Sequence, residues 1–183
     1  MHVFTSGDEA ELFLNGKSLD RKKKGPHEYR LRWNDVRYEP GELEVVAYKE
    51  GQEWAQDVVK TTGEPARLLA SADRDLIRAD GKDLAFVTVR VADQSELTAP
   101  RANSLMRFQI DGAGEIVATD NGDPSDLTPF PSRERPAFGG LCLAIVRGIR
   151  DRPGRIQVRA TSGSLQVGTV TLQSIAEDPS STN

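Results

Sequence analysis

Short stretches of alternating polar and apolar residues recur from the start of the chain. Residues 9–14 read EAELFL and lead into Asn15-Gly16, the dipeptide that most readily adopts the positive φ angles of a tight hairpin turn. Residues 42–48 pass through Glu50-Gly51 into a second alternating run at 52–59. Alternation with a period of two is the pattern of half-buried strands, so these segments predict antiparallel hairpins.

Two further segments lie between these hairpins. Residues 29–33 place Tyr29, Leu31 and Trp33 on one face of a predicted strand and arginines on the other. The basic run at residues 21–24 follows the first hairpin turn, and we interpret it as a solvated loop or sheet edge because lysine at an edge discourages pairing with other sheets.

A polar stretch, residues 61–65, interrupts the strand pattern with Gly and Pro and is typical of a linker. Beyond it, the valines of the run at 84–91 alternate with Phe, Thr and Arg, which indicates one buried and one solvated face. Seven short strands are predicted in this second part, at residues 66–70, 84–91, 105–110, 114–118, 141–146, 156–160 and 167–172.

The pattern predicts an all-β protein with two immunoglobulin-like β-sandwich units in tandem. Residues 1–63 are expected to form a small β-sandwich, and residues 64–175 a complete immunoglobulin-like sandwich. About sixty residues make a marginal core, so the first unit is expected to be truncated at its N-terminus. Residues 176–183 are polar and are expected to form a flexible tail.

Composition limits the classes of partner. The 183 residues carry 24 lysines and arginines against 28 aspartates and glutamates, a formal charge of −4, which leaves no excess of positive charge for holding phosphates. We therefore expect no nucleic-acid partner. No apolar run approaches the roughly 20 residues that cross a bilayer, so no membrane partner is expected. Cys142, the single cysteine, is predicted to be a buried strand residue.

Several motifs occur together in an order that resembles one enzyme family. They are ELFLNGKSL at 11–19, the segment 54–62, GEPA at 63–66, GEIVATDNGDP at 114–124 and AFGGLCLAIVR at 137–147. This combination resembles the C-terminal region of family 2 glycoside hydrolases of the bacterial β-galactosidase type, and the resemblance extends from about Val3 to about Gln173. One departure is Leu19-Asp20, where the family has Leu-Gly, and it concerns only the local turn.

The resemblance implies a non-catalytic accessory role. In that family, a small β-sandwich with such a hairpin follows the catalytic barrel, and an immunoglobulin-like domain similar to invasin repeats comes next. The catalytic glutamate pair lies in a (β/α)₈ barrel of about 250 residues, and no such segment is present here. The implied role is structural support of the catalytic barrel of a parent chain that hydrolyses terminal β-galactosides. Such parents are often exported, which suggests a periplasmic or extracellular location.

The residues themselves indicate no catalytic, metal or cofactor site. His2 and His27 lie in the terminus and in a loop, away from any recognisable nucleophile motif, and one cysteine with two histidines cannot supply a zinc site. The oxygen-rich segment 120–126, DNGDPSD, could ligate calcium, but its spacing differs from that of an EF-hand. We interpret it as a segment that builds turns.

A long proline-rich loop at residues 121–140 is the candidate interdomain or ligand surface. Its two phenylalanines are expected to tuck inward or to pack against the parent's barrel, and its two arginines to pair with acidic groups of that partner. The candidate residues are Asp120, Asn121, Asp123, Phe130, Arg133, Arg135 and Phe138.

Carbohydrate binding is an open alternative. Trp54 and Tyr48 could form a platform on which sugar rings stack. Because both Trp33 and Trp54 lie in strand patterns, packing in the core or between domains is the preferred interpretation for them. A cell-surface adhesion module is a third alternative, since immunoglobulin-like domains serve many roles.

Overall fold

The structure, a computed structural model, describes residues 1–176. In this part of the chain it contains β-strands and no helix, and therefore no helix able to cross a bilayer. The strands are β1 (His2–Phe4), β2 (Glu9–Leu14), β3 (Lys17–Lys23), β4 (Arg30–Arg32), β5 (Glu42–Lys49), β6 (Gln52–Lys60), β7 (Arg67–Ala72), β8 (Leu76–Arg78), β9 (Leu84–Ala92), β10 (Leu105–Gly112), β11 (Gly114–Asp120), β12 (Glu134–Pro136), β13 (Leu141–Gly148), β14 (Gly154–Thr161) and β15 (Gly168–Ile175).

The chain divides into two compact units, Met1–Thr61 and Thr62–Asn183. The predicted all-β class is confirmed. The domain types assigned to residues 1–63 and 64–175 stay predictions, as does the truncation of the first. The predicted flexible tail lies, from residue 177 onward, outside the described residues.

The first unit combines a four-stranded antiparallel sheet with a two-stranded ribbon. The sheet order is β3-β2-β5-β6, and the ribbon pairs β1 with β4. Alternation along β2 directs Ala10 and Leu12 into a small core, where they meet Val3 and Leu31 of the ribbon. Trp33, which follows the ribbon directly, completes this core.

The two predicted hairpin turns are confirmed. Asn15 and Gly16 adopt φ angles of 51° and 75°, and Glu50 and Gly51 adopt 52° and 80°. Both pairs therefore occupy the left-handed region that a two-residue hairpin turn of this type requires. The Asn15 side chain also accepts a hydrogen bond of 2.8 Å from the backbone N–H of Glu42, which ties the first turn to β5.

One expectation for the first unit holds in part and another needs correction. Of the two alternatives predicted for the basic segment, the sheet edge is the one found: residues 21–23 belong to β3, the edge strand of the sheet, where cross-strand pairing orders them. Arg21 of this strand forms a 2.8 Å salt bridge with Glu9. Leu31 and Trp33 are buried as predicted, but Tyr29 precedes β4 and is 67% exposed, because the inward face of the ribbon starts at Leu31.

Of the two positions predicted for Trp54, the core position is wrong, and packing between domains stays a prediction. Every residue of β6 is exposed, and the indole of Trp54 is 55% exposed. The reason is topological. Strand β6 is the second edge strand of the sheet, whereas the ribbon residues pack on the side chains of β2, in the other half of the sheet. An alternating sequence shows that a strand exists but not whether anything covers it.

The second unit is a sandwich of two sheets. One sheet has the order β12-β10-β14-β15-β8 and the other β11-β13-β9-β7. Their facing side chains form a single core, with Met106, Ile156 and Leu172 from the first sheet against Val87 and Val146 from the second. Such interdigitation of two apolar faces is what the period-two pattern of these strands favours.

Details of the second unit confirm most of the sequence interpretation. Val87, Val89 and Val91 are fully buried, whereas Phe86 on the opposite face is 38% exposed. Cys142 is buried in β13, and burial raises the pKa of its thiol to about 12. The expectation that the long loop contains no strand is wrong, because β12 pairs with the first residues of β10.

Truncation of Leu12 tests the small core of the first unit. Leu12→Ala removes a fully buried side chain, and we expect a loss of about 2–5 kcal/mol in the free energy of unfolding. Urea titration followed by circular dichroism measures it. As a matched control, Val59→Ala on the exposed strand β6 should cost less than about 1 kcal/mol. Equal losses for both variants would show that Leu12 does not anchor this core.

Candidate functional site

The long loop of the second unit is organised around one buried cation. Arg135 lies on β12, and the alternation of this strand directs its side chain inward, where the residue is only 1% exposed. The guanidinium donates to four acceptors, each on β11 or on the loop. They are Asp126 Oδ2 at 2.8 Å, Thr119 Oγ1 at 3.2 Å, and the backbone oxygens of Thr128 and Pro129, both at 3.0 Å.

Asp126 is the anionic partner in this arrangement, and its side chain is 10% exposed. The same oxygen that accepts from Arg135 also accepts from Asn121 Nδ2 at 3.0 Å. Asn121 donates in addition to the backbone oxygen of Pro136 at 3.0 Å, which fastens the start of the loop to its end. Hydrogen bonds from the hydroxyl and backbone N–H of Thr128, followed by the Arg135 guanidinium, lower the pKa of Asp126 to about 2.

The other acidic residues of the loop cap its turns. Asp120 Oδ1 accepts from the backbone N–H groups of Asn121 at 2.7 Å and Gly122 at 3.2 Å. Asp123 Oδ1 accepts from the backbone N–H and the hydroxyl of Ser125, at 2.9 and 2.7 Å. These are the short-range bonds that the turn-building interpretation predicts for Asp beside Gly and Ser.

The structure excludes the predicted pairing of Arg135 and one of the two positions predicted for the phenylalanines. The Arg135 guanidinium is buried and bonded to atoms of its own unit, so it cannot pair with a second domain. Phe130 and Phe138 do not tuck inward, since they are 62% and 50% exposed, and their packing against the parent's barrel stays a prediction. The buried guanidinium occupies the centre of the loop, and the Phe130 ring lies outside it with its centroid 5.8 Å from Arg135 Cζ. Arg133 is exposed, and its pairing with an acidic group of the partner stays a prediction.

A set of apolar side chains stands on this fixed framework, and we call it the loop surface. Its members are Leu127, Phe130, Phe138 and Leu141, which are 92%, 62%, 50% and 41% exposed. Phe138 and Leu141 are joined by two backbone hydrogen bonds of 2.9 and 3.0 Å. Leu127 was not predicted as a site residue, and its only signal in the sequence is that of an isolated large apolar residue in a polar loop.

A depression of about 550 Å³ lies on the loop, lined by Asp120, Asp123, Asp126, Phe130 and Arg135 among others. Within residues 1–176, no group of three or more His, Cys, Asp or Glu side chains is arranged to hold a metal ion. The loop exposes apolar side chains, and its carboxylate oxygens already accept local hydrogen bonds. Such a surface suits contact with another protein surface better than acid–base chemistry.

Trp54 and Tyr48 lie in the first unit, on neighbouring strands. The Arg21 guanidinium covers one face of the Tyr48 ring, with Cζ 3.5 Å from the ring centroid. Trp54 Nε1 donates to Ser6 Oγ at 3.0 Å, and Lys49 Nζ lies 4.7 Å from the indole centroid. The structure records no stacking between the two rings among the described residues. Trp54 alone presents an open aromatic surface.

A pair of arginine variants tests the buried cation. Arg135→Met removes the cationic partner of the buried Asp126 carboxylate and a donor to two backbone oxygens, so we expect a loss of about 3–5 kcal/mol in the free energy of unfolding. Arg107→Met is the control, because its 2.8 Å salt bridge with Glu134 is more than half exposed on both sides and should contribute less than about 1 kcal/mol. Urea titration of both variants decides, and similar losses would contradict the assignment.

The acid dependence of stability tests Asp126. The folded-state pKa of Asp126, about 2, lies below the ordinary value of 3.8. Its contribution to the free energy of unfolding is therefore complete above about pH 3.8 and is lost as the pH falls through about 2. Asp126→Asn does not titrate. We therefore expect the wild type to be more stable at neutral pH and the difference in urea midpoint to shrink between pH 5 and pH 2. A constant difference over this range would assign the acid sensitivity to other groups.

Comparison with known families identifies both units. Glycoside hydrolase family 2 C-terminal domain 5 matches residues 68–171, and a domain of unknown function, DUF4982, matches residues 1–55. The β-galactosidase BoGH2A of Bacteroides ovatus is 38% identical over 89% of this chain and 19% of its own length. A β-galactosidase of Thermoanaerobacter pseudethanolicus is 28% identical over 63% of this chain and 18% of its own.

Solved structures agree with these relatives. A family 2 glycosyl hydrolase from Bacteroides cellulosilyticus superposes with a TM-score of 0.90 at 31% identity, over 95% of this chain and 22% of its own. The chain thus spans about a fifth of the length of the proteins it matches. The resemblance seen in the sequence is confirmed: this chain belongs to glycoside hydrolase family 2, and its second unit is a C-terminal domain 5 of that family.

Proposed function

We propose that this chain is a non-catalytic accessory region of a glycoside hydrolase and supports the catalytic barrel of the parent chain through the loop surface. The observation that carries the proposal is the display of Leu127, Phe130 and Phe138 on a loop that Arg135 holds from below. Large apolar side chains grouped on one exposed loop are a common mark of a protein contact site.

Pre-organisation strengthens this interpretation. A contact formed by a flexible loop must offset the conformational entropy that the loop loses on binding, and each ordered side chain adds to that cost. Here the hydrogen bonds of Asn121, Asp126 and Arg135 already hold the loop in the free chain. Arg133, exposed at the same loop, is available for an acidic group on the barrel.

The parent's reaction is proposed from the relatives. Those from Bacteroides ovatus and Thermoanaerobacter pseudethanolicus are named β-galactosidases, and one from Formosa agariphila, 25% identical over 94% of this chain, is named a β-glucuronidase. We propose hydrolysis of terminal β-galactosides as the parent's activity, with a pair of carboxylates outside this chain as acid/base and nucleophile. The isolated chain is then expected to hydrolyse neither nitrophenyl β-galactoside nor nitrophenyl β-glucuronide.

A carbohydrate-binding module is the second candidate, and Trp54 is the observation that favours it. Its indole is 55% exposed and is fixed by the bond to Ser6 Oγ, which gives sugar rings a stable flat surface. Loss of galactan retention in Trp54→Ala, with unfolding unchanged, would support this candidate over a purely structural role.

A chimeric enzyme tests the structural role. The matched region of the Bacteroides ovatus relative is replaced by this chain, and thermal inactivation of the chimera is measured with nitrophenyl β-galactoside. In the double variant Leu127→Asp, Phe130→Asp we expect the inactivation temperature to fall by several degrees. Charged groups then replace apolar area at the contact, which costs about 1–3 kcal/mol per side chain. The isolated chain with the same changes should unfold as the wild type does.

Leu76→Asp is the matched control for this experiment. Leu76 is 47% exposed on β8 and outside the loop surface, so its replacement should leave the inactivation temperature of the chimera unchanged. If the double variant and the control behave alike, the loop surface does not contact the barrel.

A further inference from the structure

The outward side of the N-terminal ribbon carries an aromatic and cationic surface that the loop surface does not account for. Alternation in β1 and β4 directs Val3 and Leu31 into the core and leaves the residues on either side of each facing outward. We call this outward side, together with the adjoining Tyr29, the ribbon face. Its residues are His2, Phe4, Tyr29, Arg30 and Arg32.

Two aromatic rings form the apolar part of the ribbon face. Phe4 is 66% and Tyr29 67% exposed. Their ring centroids lie 6.3 Å apart and their planes differ by 28°, so the two rings stack with each other in water. Exposed, nearly parallel rings on a short ribbon fill no core of their own unit. They offer the kind of flat apolar surface on which the faces of sugar rings pack.

The cations around these rings lack anionic partners. Within residues 1–176, neither Arg30 nor Arg32 takes part in a salt bridge. Arg30 Cζ lies 5.5 Å from the Tyr29 ring centroid, while its Nε is buried and has no hydrogen-bond partner. An unpaired guanidinium N–H beside an exposed ring is an incomplete site, because a buried donor without an acceptor costs free energy.

Two lysines extend the positive charge along the ribbon. Lys22 Nζ donates to the backbone oxygen of Arg32 and Lys24 Nζ to that of Thr5, both at 2.8 Å, and neither lysine is in a salt bridge within the described part of the chain. The neighbouring carboxylate of Glu28 accepts from the backbone N–H of Gly25 at 2.8 Å. Desolvation and the positive charge of Arg30 lower the pKa of His2, as expected in a positive local potential.

We propose that the ribbon face binds an acidic glycan, a polysaccharide that carries carboxylate or sulfate groups. The Phe4 and Tyr29 rings pack against the apolar faces of the sugars. The guanidinium groups of Arg30 and Arg32 donate to the anionic oxygens, which match the planar fork of arginine. The proposal goes beyond the support of the barrel and does not depend on it.

The combination of rings and unpaired cations favours a glycan over other anionic partners. A neutral polysaccharide can accept hydrogen bonds but leaves the two positive charges without a counter-charge. A peptide of Asp and Glu residues supplies the counter-charge but no flat apolar face to pack on the two rings. The geometry of the site does not distinguish a carboxylate from a sulfate, so the experiment has one arm for each.

Isothermal titration of the purified chain tests the proposal with polygalacturonate for the carboxylate arm, dextran sulfate for the sulfate arm and neutral galactan for comparison. We expect binding in at least one acidic arm at low salt, with a strong loss at high salt because screening lengths shrink to about 3 Å at 1 M. Tyr29→Ala is expected to weaken this binding about tenfold. Arg32→Gln is expected to weaken it by a similar factor, about tenfold, by removing a charge-assisted donor.

Matched controls separate a defined site from general attraction. Phe86→Ala removes an exposed aromatic ring of the second unit, and Arg159→Gln removes an exposed cation of that unit that takes part in no salt bridge within residues 1–176. Both should bind as the wild type does. The proposal is overturned if the folded chain binds neither acidic glycan, if control and ribbon variants weaken binding equally, or if poly-glutamate binds as tightly as the glycans. Loop-surface variants should not affect glycan binding. A failure of this proposal can therefore be told apart from a failure of the proposed barrel contact.

Discussion

The buried guanidinium of Arg135 is the interaction on which the long loop of the second unit depends. The loop between β11 and β12 contains no strand, so its backbone groups have no ladder in which to pair. Arg135 supplies donors to the backbone oxygens of Thr128 and Pro129 and to the carboxylate of Asp126. A buried charge is tolerated only when it is paired and its N–H groups are satisfied, and here both conditions are met by the loop itself.

This arrangement also determines what the loop displays. Because a charged group and its acceptors occupy the centre, the large apolar side chains of the loop have no core to enter. Leu127 and Phe130 therefore lie on the outside of a loop whose conformation is fixed by polar bonds. Apolar side chains are thus exposed on a loop whose interior is polar, which supports the proposed contact between the loop surface and another protein surface. The match to about a fifth of each relative fits that interpretation.

The two units reach their stability by different means. The second unit buries the facing sides of two sheets, so nearly every inward position of its central strands is fully enclosed. The first unit has one sheet covered by a two-stranded ribbon, and this cover reaches β2 but leaves β6 open. Its thin core explains why so many of its aromatic residues, Phe4, Tyr29 and Trp54 among them, stay at the surface.

Much of the fold follows from local sequence. Asn15-Gly16 and Glu50-Gly51 specified their turns, and the alternation around Val87 specified a strand with one buried face, because both effects depend on neighbouring residues alone. The family also followed from the sequence, through motifs read in order. Strands β1, β8 and β12, each of three residues, were missed, since such short segments are strands only by virtue of their partners.

The candidate sites required the tertiary structure. The sequence placed Arg135, Phe130 and Phe138 in one loop, but whether the cation or the rings point inward depends on the register of β12 against β10 and on the position of Asp126. Likewise, nothing in the sequence distinguishes Trp33 from Trp54, which occupy similar alternating runs. One is 3% and the other 55% exposed because the ribbon covers one part of the sheet and not the other. Local pattern thus determined the strands and their turns, whereas burial and pairing, which are properties of the assembled layers, were decided by the tertiary structure.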